Sequence, residues 1–537
     1  MNDSHANAAD SLRSIDLPEI DKGLRDDVNR VGSLVGEILA EQEGQAFFDE
    51  VERVRVTAIR RREAGDDATA LQDQLSGADV AHATSLVRAF STYFQAVNVA
   101  ERVHRIRRRR DYELTGAASQ PGGLRAVLSK LREQGVTREE LSECLARLRI
   151  EPVFTAHPTE AVRRALLEKE HEVVRALVAD IDHNRTPVER RTDVERMRLA
   201  LTASWQTAEL ALEKPTVADE LENIGFYLTD VLYRVVPVFY EVFADALSGI
   251  DPSIDVPAVL GFGTWVGGDM DGNPNVGAET IAATLATQRA HVLALYRREV
   301  IELAGLLTQS SSRVGCSADV LARLDVYRAL LPKAAAQLKS RHGDMPYRVL
   351  LQFVAERLGD TERGRAGGYP HVDTFIADVS MIADSLLTHR GLHSGWFAVR
   401  RLLRRVQTFG FHLATLDLRQ DSAVHDAALA ALLEEDQWST HSVAQRVTRL
   451  QGLLGDTHSV SASTDDTARR TLAVFRTVAE LRLRYGPNAF GPYIVSMSRS
   501  AADALAVLVL ARIAGCVDGD DCVPLDVAPL FETVADL

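Results

Sequence analysis

The chain has 537 residues, of which 46% are hydrophobic, so it can bury a large core and is too apolar to be intrinsically disordered. Its formal net charge of −15 at pH 7 disfavours nonspecific nucleic-acid binding, although an acidic chain can still contain a basic pocket. The longest apolar run, residues 504–511, is far too short to cross a bilayer. We therefore expect neither a nucleic-acid partner nor a membrane partner.

The first 20 residues are polar and contain no apolar stretch typical of a secretory signal. The four cysteines are scattered and lack the spacing of a metal-binding motif, so we interpret them as reduced structural thiols. Both observations favour a cytoplasmic protein.

Helical periodicity dominates the next part of the chain. Apolar residues such as Leu34 and Ile38 recur at helical spacing between about residues 24 and 148. We therefore predict an N-terminal helical region over residues 1–150.

The stretch 151–172 predicts a short strand, a turn and a helix, with Thr159 suited to cap the helix. His157 then falls at the carboxyl end of the strand, and Arg163 and Arg164 follow in the first turns of the helix. An imidazole and two guanidinium groups near a helix N-terminus suit a phosphate or a carboxylate. The alternatives are a structural histidine and a solvent-exposed arginine pair.

The same pattern recurs four more times. Apolar strands are predicted near residues 259–265, 411–418, 493–497 and 525–531, and they lead into the Trp265 loop, Arg419, Arg499 and Glu532, respectively. A (β/α) barrel collects the carboxyl ends of its strands at one rim. We therefore predict a mainly α chain with an α/β, (β/α)8-type barrel that is incomplete here, formed by residues 151–537 with helical insertions. A doubly wound sheet is the alternative.

Four stretches, in this order along the chain, resemble the phosphoenolpyruvate carboxylase family. They read TAHPTE (155–160), GTWVGGDMDGNPNV (263–276), FGFHLATLDLRQDSAVH (409–425), and YIVSMSRSAADALAV with VAPLFETVADL (493–507 and 527–537). The resemblance implies formation of oxaloacetate and phosphate from phosphoenolpyruvate and bicarbonate, with Mg²⁺ or Mn²⁺ as cofactor. It also implies a homotetramer when the chain is full length.

The resemblance further implies a role for individual residues. His157 is expected to be catalytic and Glu532 to bind the metal, whereas a solvated carboxylate is the alternative for Glu532. The residues expected to bind substrate are Arg419, Trp265, Arg163 and Arg164. Arginines and a divalent cation suit the negative charge that develops when bicarbonate attacks phosphorus, and an imidazole can take the proton of carboxyphosphate. An ordinary surface ion pair is the alternative for Arg419.

Two departures from the family pattern affect these expectations. Met270 stands where the family often has an arginine between two aspartates. The family also continues well beyond Leu537, with a second metal carboxylate, a catalytic lysine and further phosphate-binding arginines. We therefore expect residues 1–537 alone to be weakly active or inactive.

Two other hypotheses stay open at this stage. In the first hypothesis, the chain is a non-catalytic remnant, or one half of a split enzyme that needs a separate C-terminal chain. Alternatively, it is a different metal-dependent enzyme that acts on phosphorylated or keto-acid substrates.

Overall fold

A computed structural model describes residues 21–65, 67–115, 121–155, 163–182, 184–208, 215–435, 437–455 and 465–534. The chain divides into two compact units. The first comprises Met1–Gly123 and Val162–Lys214, and the second comprises Leu124–Ala161 and Pro215–Leu537.

The first unit is helical throughout its described residues. Its helices are Lys22–Glu43, Gln45–Ala64, Thr69–Leu75, Val80–Thr115, Arg164–Ala179 and Pro187–Trp205. Val31, Val103 and Leu177 are fully buried in a core that these helices share. Leu177 lies on the face of Arg164–Ala179 that the apolar spacing predicts to be buried. The predicted N-cap, Thr159, lies outside the described residues.

The second unit combines many helices with one sheet. Its α-helices are Leu124–Glu133, Arg138–Arg147, Val217–Phe226, Tyr233–Ser248, Ala278–Leu306, Ser311–Val314, Ala318–Leu330, Pro332–Gln337, Pro346–Glu362, Val372–Thr388, Phe397–Phe409, Ser422–Leu433, Val443–Gly455, Asp466–Tyr485 and Ala501–Ile513. Two π-helical turns, Tyr227–Leu232 and Leu392–Trp396, and three short 3₁₀ turns, Ser340–His342, Trp438–Thr440 and Pro487–Ala489, complete the helical part.

Five strands form a parallel sheet in chain order. They are β1 (Val153–Phe154), β2 (Gly263–Thr264), β3 (Thr415–Asp421), β4 (Phe490–Ser496) and β5 (Val527–Pro529). The prediction of a mainly helical chain with parallel strands is therefore confirmed. Closure of these strands into a barrel stays a prediction.

Three strands begin later than the sequence predicts, since β2 starts at Gly263 rather than near residue 259 and β5 at Val527 rather than near residue 525. The third is β3. The expected strand 411–418 starts only at Thr415, so the prediction is wrong for its first four residues. Gly410 and Leu413 have φ of 53° and 66°, in the left-handed region that a strand cannot contain. Phe411 and Leu413 are nevertheless buried, so the alternation reflects a turn that points its apolar side chains into the core.

The seven-residue strand β3 separates two environments. Leu416 and Leu418 are fully buried and pack among apolar residues of the helices Ser422–Leu433, Asp466–Tyr485 and Ala501–Ile513. Because successive side chains of a strand point to opposite faces, Asp417 and Arg419 lie on the other face.

Among the described residues, no helix is both long enough and apolar enough to span a membrane.

Candidate active site

The backbone of β3 brings the loop after β2 against Arg419. The Arg419 N–H donates to the carbonyl of Gly268 at 3.0 Å, and the Met270 N–H donates to the carbonyl of Arg419 at 2.9 Å. A Cβ at position 268 would collide with the carbonyl oxygen of Asp417, so glycine permits this approach. The loop is therefore held at a fixed position beside β3.

The guanidinium of Arg419 contacts residues from three other strand ends. Its Nε donates to Ser496 Oγ at 2.7 Å, at the end of β4. Its Nη2 donates to Asp271 Oδ2 at 2.9 Å and its Nη1 to Asp269 Oδ2 at 3.4 Å, both in the loop after β2. Glu532 Oε1, beyond β5, lies 3.8 Å from Nη2. Since the Arg419 side chain is 21% exposed, it is fixed in orientation yet still reachable from solvent.

The indole of Trp265 forms the next wall of the site. Arg419 Cζ lies 5.1 Å from the centroid of the ring, a distance at which the guanidinium and the aromatic face attract each other. The Trp265 Nε1–H donates to Asp417 Oδ2 at 3.1 Å, and its backbone N–H donates to the carbonyl of Phe154 at 2.8 Å. The second of these bonds connects β1 to the site.

Two acidic side chains beside this site have raised pKa values. Burial raises the pKa of Asp417 to about 6; the hydrogen bond from Trp265 opposes that rise, and the charge of Glu151 adds to it. Burial also raises the pKa of Glu220, with smaller contributions from the negative charges of Asp219 and Asp269. Both carboxyl groups are therefore protonated more readily than an exposed carboxyl group.

Three of the predicted site residues meet, because Arg419 contacts both Trp265 and Glu532. His157 lies outside the described residues, and its catalytic role stays a prediction. Arg163 and Arg164 belong to the first unit and are exposed. Arg163 Nη1 donates to the carbonyl of Ala208 at 2.9 Å, and Arg164 Nε donates to Glu168 Oε1 at 3.0 Å. Their role in binding substrate stays a prediction.

The sequence did not predict that Asp417, Ser496 and Asp271 belong to the site. Asp417 precedes Arg419 by two residues on the same strand face, so the period-2 alternation was a usable signal for it. Ser496 and Asp271 gave no such signal, because their contacts depend on how the strands align. Met270 is 8% exposed and packs in the core, so its side chain takes no part in the charged cluster.

The fit of a divalent cation can be judged from the donor atoms. Mg²⁺ and Mn²⁺ take oxygen ligands, and Glu532, Asp269 and Asp271 supply carboxylate oxygens. Each of the three contacts the Arg419 guanidinium. Among the residues that the structure describes, no group of three or more His, Cys, Asp or Glu side chains is placed to hold a metal ion. The donor type therefore suits such a cation, whereas the described carboxylates form no metal-binding group, and the role of Glu532 as a ligand stays a prediction.

Comparison with known proteins agrees with the motifs. The family described as "Phosphoenolpyruvate carboxylase" matches residues 24–537. A phosphoenolpyruvate carboxylase of Xanthomonas euvesicatoria pv. vesicatoria is 53% identical over 524 residues, which cover 97% of this chain and 57% of the relative. One from Ralstonia nicotianae is 34% identical over 551 residues, which cover 96% and 55%. The chain spans little more than half the length of these curated relatives. It belongs to the phosphoenolpyruvate carboxylase family.

Proposed function

We propose that the protein is a carbon–carbon lyase of the phosphoenolpyruvate carboxylase type, which forms oxaloacetate and phosphate from phosphoenolpyruvate and bicarbonate. The observation that carries the proposal is the convergence of Arg419, Trp265 and Glu532, which come from three distant segments, at one edge of the sheet. The family that the chain belongs to supports the same reaction.

Arg419 is proposed to bind the phosphate of phosphoenolpyruvate. A guanidinium has five N–H donors, and the hydrogen bonds to Ser496, Asp269 and Asp271 use three of them. The remaining two donors, one on Nη1 and one on Nη2, are proposed to bind a phosphate oxygen pair, because arginine favours bidentate contacts. The bond to Ser496 fixes the plane of the guanidinium before the substrate arrives.

Glu532 is proposed to be a ligand of Mg²⁺ or Mn²⁺. When bound, such a cation stabilises negative charge on phosphate and enolate oxygens. The carboxylate of Glu532 lies 3.8 Å from the guanidinium of Arg419, so it can hold a cation next to a phosphate bound there. A single protein carboxylate holds such an ion weakly, and we therefore propose that residues 1–537 alone are weakly active or inactive.

His157 is proposed to accept the proton of carboxyphosphate, since an imidazole titrates near neutral pH. Trp265 is proposed to cover the substrate beside Arg419, and Arg163 and Arg164 to contribute positive charge. These three roles rest on the resemblance of the motifs.

The architecture and assembly of the whole enzyme are also proposals. The five strands are parallel and follow chain order, as consecutive strands of a (β/α)8 barrel do. We propose that such a barrel starts near residue 151, after an N-terminal helical region, and that the enzyme is a cytoplasmic homotetramer.

An assay for oxaloacetate tests the proposed reaction. Residues 1–537 are incubated with phosphoenolpyruvate, bicarbonate and Mg²⁺, and oxaloacetate is reduced by malate dehydrogenase with NADH. A second sample also receives the C-terminal portion of the Xanthomonas relative as a separate chain. We expect little turnover by residues 1–537 alone and clear turnover by the mixture. A mixture that stays inactive, beside an active full-length relative, would contradict the proposal.

The same assay tests the role of His157. The variant His157→Asn should abolish oxaloacetate formation by the mixture, because an amide cannot accept the proton. The matched control is His171→Asn, since His171 is an exposed histidine of the helix Arg164–Ala179. Equal activity of the two variants would exclude His157 as the catalytic base.

A further inference from the structure

Asp417 has a position that the family resemblance does not explain. It lies on β3, two residues before Arg419 and on the same face of the strand, and it is only 6% exposed. A carboxylate buried to this degree costs free energy unless its oxygens have partners. Its contacts therefore indicate what it does.

A local irregularity of the sheet makes room for this side chain. Leu416 pairs with Phe490 and Leu418 pairs with Tyr493. One residue of β3 lies between these pairs, whereas β4 has one residue more there, which is a β-bulge. The additional residue of β4 lies opposite Asp417, in the segment that contains Gly491. Such bulges commonly redirect a side chain next to a functional site.

Gly491 contributes the space that the carboxylate occupies. A Cβ at position 491 would collide with Asp417 Oδ1 and would lie 3.1 Å from the side chain of Thr415. Because the backbone of β4 leaves this gap, Asp417 Oδ1 packs against Gly491 while Oδ2 accepts the hydrogen bond of the Trp265 indole at 3.1 Å. The carboxylate of Asp417 thus packs against Gly491 through one oxygen and accepts the hydrogen bond of the indole through the other.

We infer that Asp417 is a positioning residue that fixes the plane of the Trp265 indole and, through the indole ring, adds to the hydrogen bonds that hold the guanidinium of Arg419. The chain of contacts is continuous, from Asp417 Oδ2 to Trp265 Nε1 and from the indole ring to Arg419 Cζ at 5.1 Å. The consequence for phosphate binding rests on the proposed function, whereas the contact between Asp417 and Trp265 does not.

The charges around Asp417 give the contact a pH dependence. Burial raises the pKa of Asp417 to about 6, the bond from Trp265 opposes the rise, and Glu151 adds to it. Glu151 is itself paired with Arg149, whose Nη2 lies 2.9 Å from Glu151 Oε1. Below about pH 6 the carboxyl of Asp417 is protonated and becomes a weaker acceptor for the indole.

The indole N–H resonances of the whole chain test this directly. The chain has four tryptophans, so ¹⁵N-labelling of the indoles gives one cross-peak for each, and Trp265→Phe identifies that of Trp265. We expect the Trp265 cross-peak to titrate near pH 6 and to move and stop titrating in Asp417→Asn. An unmoved cross-peak in Asp417→Asn would overturn the inference.

A second aspartate–tryptophan pair provides the matched control. Trp438 Nε1 donates to Asp426 Oδ1 at 2.8 Å, also a bond from an indole to a carboxylate, and Asp426 Oδ2 accepts in addition from Arg446 Nη1 at 2.9 Å. The variant Asp426→Asn should move the Trp438 cross-peak and leave that of Trp265 in place. A shift of both cross-peaks in Asp417→Asn would indicate general disturbance of the fold and would contradict a specific positioning role.

Inorganic phosphate then tests the effect on Arg419. The Trp265 cross-peak is followed during titration with phosphate at pH 7.5. The dissociation constant should rise about tenfold in Asp417→Ala, which removes a charged hydrogen-bond acceptor, and clearly less in Asp417→Asn, which keeps an acceptor oxygen. Equal affinities for the wild type and Asp417→Ala would overturn the inference. If phosphate leaves the wild-type cross-peak unchanged, the proposed phosphate site fails, and the pH titration still decides the contact between Asp417 and Trp265.

Discussion

Replacing Asp271 with asparagine removes a negative charge from the guanidinium that is proposed to bind phosphate. Asp271 Oδ2 accepts from Arg419 Nη2 at 2.9 Å, and the side chains are 23% and 21% exposed, respectively. The amide of asparagine keeps an acceptor oxygen at this position, so the orientation of the guanidinium should persist. The dominant effect is therefore the loss of repulsion between Asp271 and a bound phosphate.

The size of this effect follows from the geometry. A phosphate on the remaining N–H donors of Arg419 places an oxygen roughly 5 Å from Asp271 Oδ2, which corresponds to about 3 kcal/mol of repulsion at an effective dielectric constant near 20. Solvent exposure and salt reduce this to about 1 kcal/mol at physiological ionic strength. The Asp271→Asn variant should therefore bind inorganic phosphate about fivefold more tightly than the wild type.

Isothermal titration calorimetry at two salt concentrations measures this change. The matched control is Asp325→Asn, which alters the net charge equally but removes an aspartate paired with Arg328 on the helix Ala318–Leu330. We expect the gain only in Asp271→Asn, and a smaller gain at higher salt. Weaker binding by Asp271→Asn would refute this reasoning, because it would mean that the charge of Asp271 orients Arg419 rather than competing for it.

Three further predictions concern Gly491, Asp417 and Asp378 of the second unit. The variant Gly491→Ala should displace the Asp417 carboxylate and destabilise the fold by about 2 kcal/mol, because the new methyl group overfills a packed gap; urea denaturation and the Trp265 indole resonance measure both effects. Since the raised pKa of Asp417 means that the native state binds its proton more tightly, this group lowers stability as pH rises from about 4 to 6. The urea midpoint of Asp417→Asn should therefore rise relative to the wild type between pH 4.5 and 7.5, and a constant difference would contradict the shift. Asp378 is fully buried and accepts from two tyrosine hydroxyls and one arginine, so Asp378→Ala should destabilise the second unit by about 3–5 kcal/mol in thermal unfolding, whereas a loss under 1 kcal/mol would show that the cluster relaxes.

The sequence predicts which polar side chains follow the strands, because local apolar patterns determine where the strands lie. Arg419 and Glu532 each follow an apolar stretch, and parallel strands gather their carboxyl ends at one edge. Their meeting could therefore be anticipated without coordinates. The beginning of β3 could not, because the left-handed backbone of Leu413 is compensated by burial in a core formed by distant helices.

The finer geometry of the site depends on alignments that no local pattern encodes. Asp271 and Ser496 reach Arg419 only because of the register between β3 and β4 and the glycine-dependent approach of the loop after β2. Gly491 has no motif of its own, yet its missing side chain accommodates Asp417. Conversely, the exposed pair Arg163 and Arg164 stands out in the sequence, and its function stays a prediction.

The guanidinium of Arg419 is proposed above to hold the phosphate of phosphoenolpyruvate. Calorimetric titration of phosphoenolpyruvate into wild-type protein, Arg419→Met and the control Arg449→Met tests it, because Arg449 is an arginine paired with Glu435 outside the site. We expect the wild type and the control to bind phosphoenolpyruvate with the same affinity. The affinity of Arg419→Met should be about 100-fold weaker, since a charge-assisted bidentate contact is lost. Equal affinity of all three proteins would contradict it.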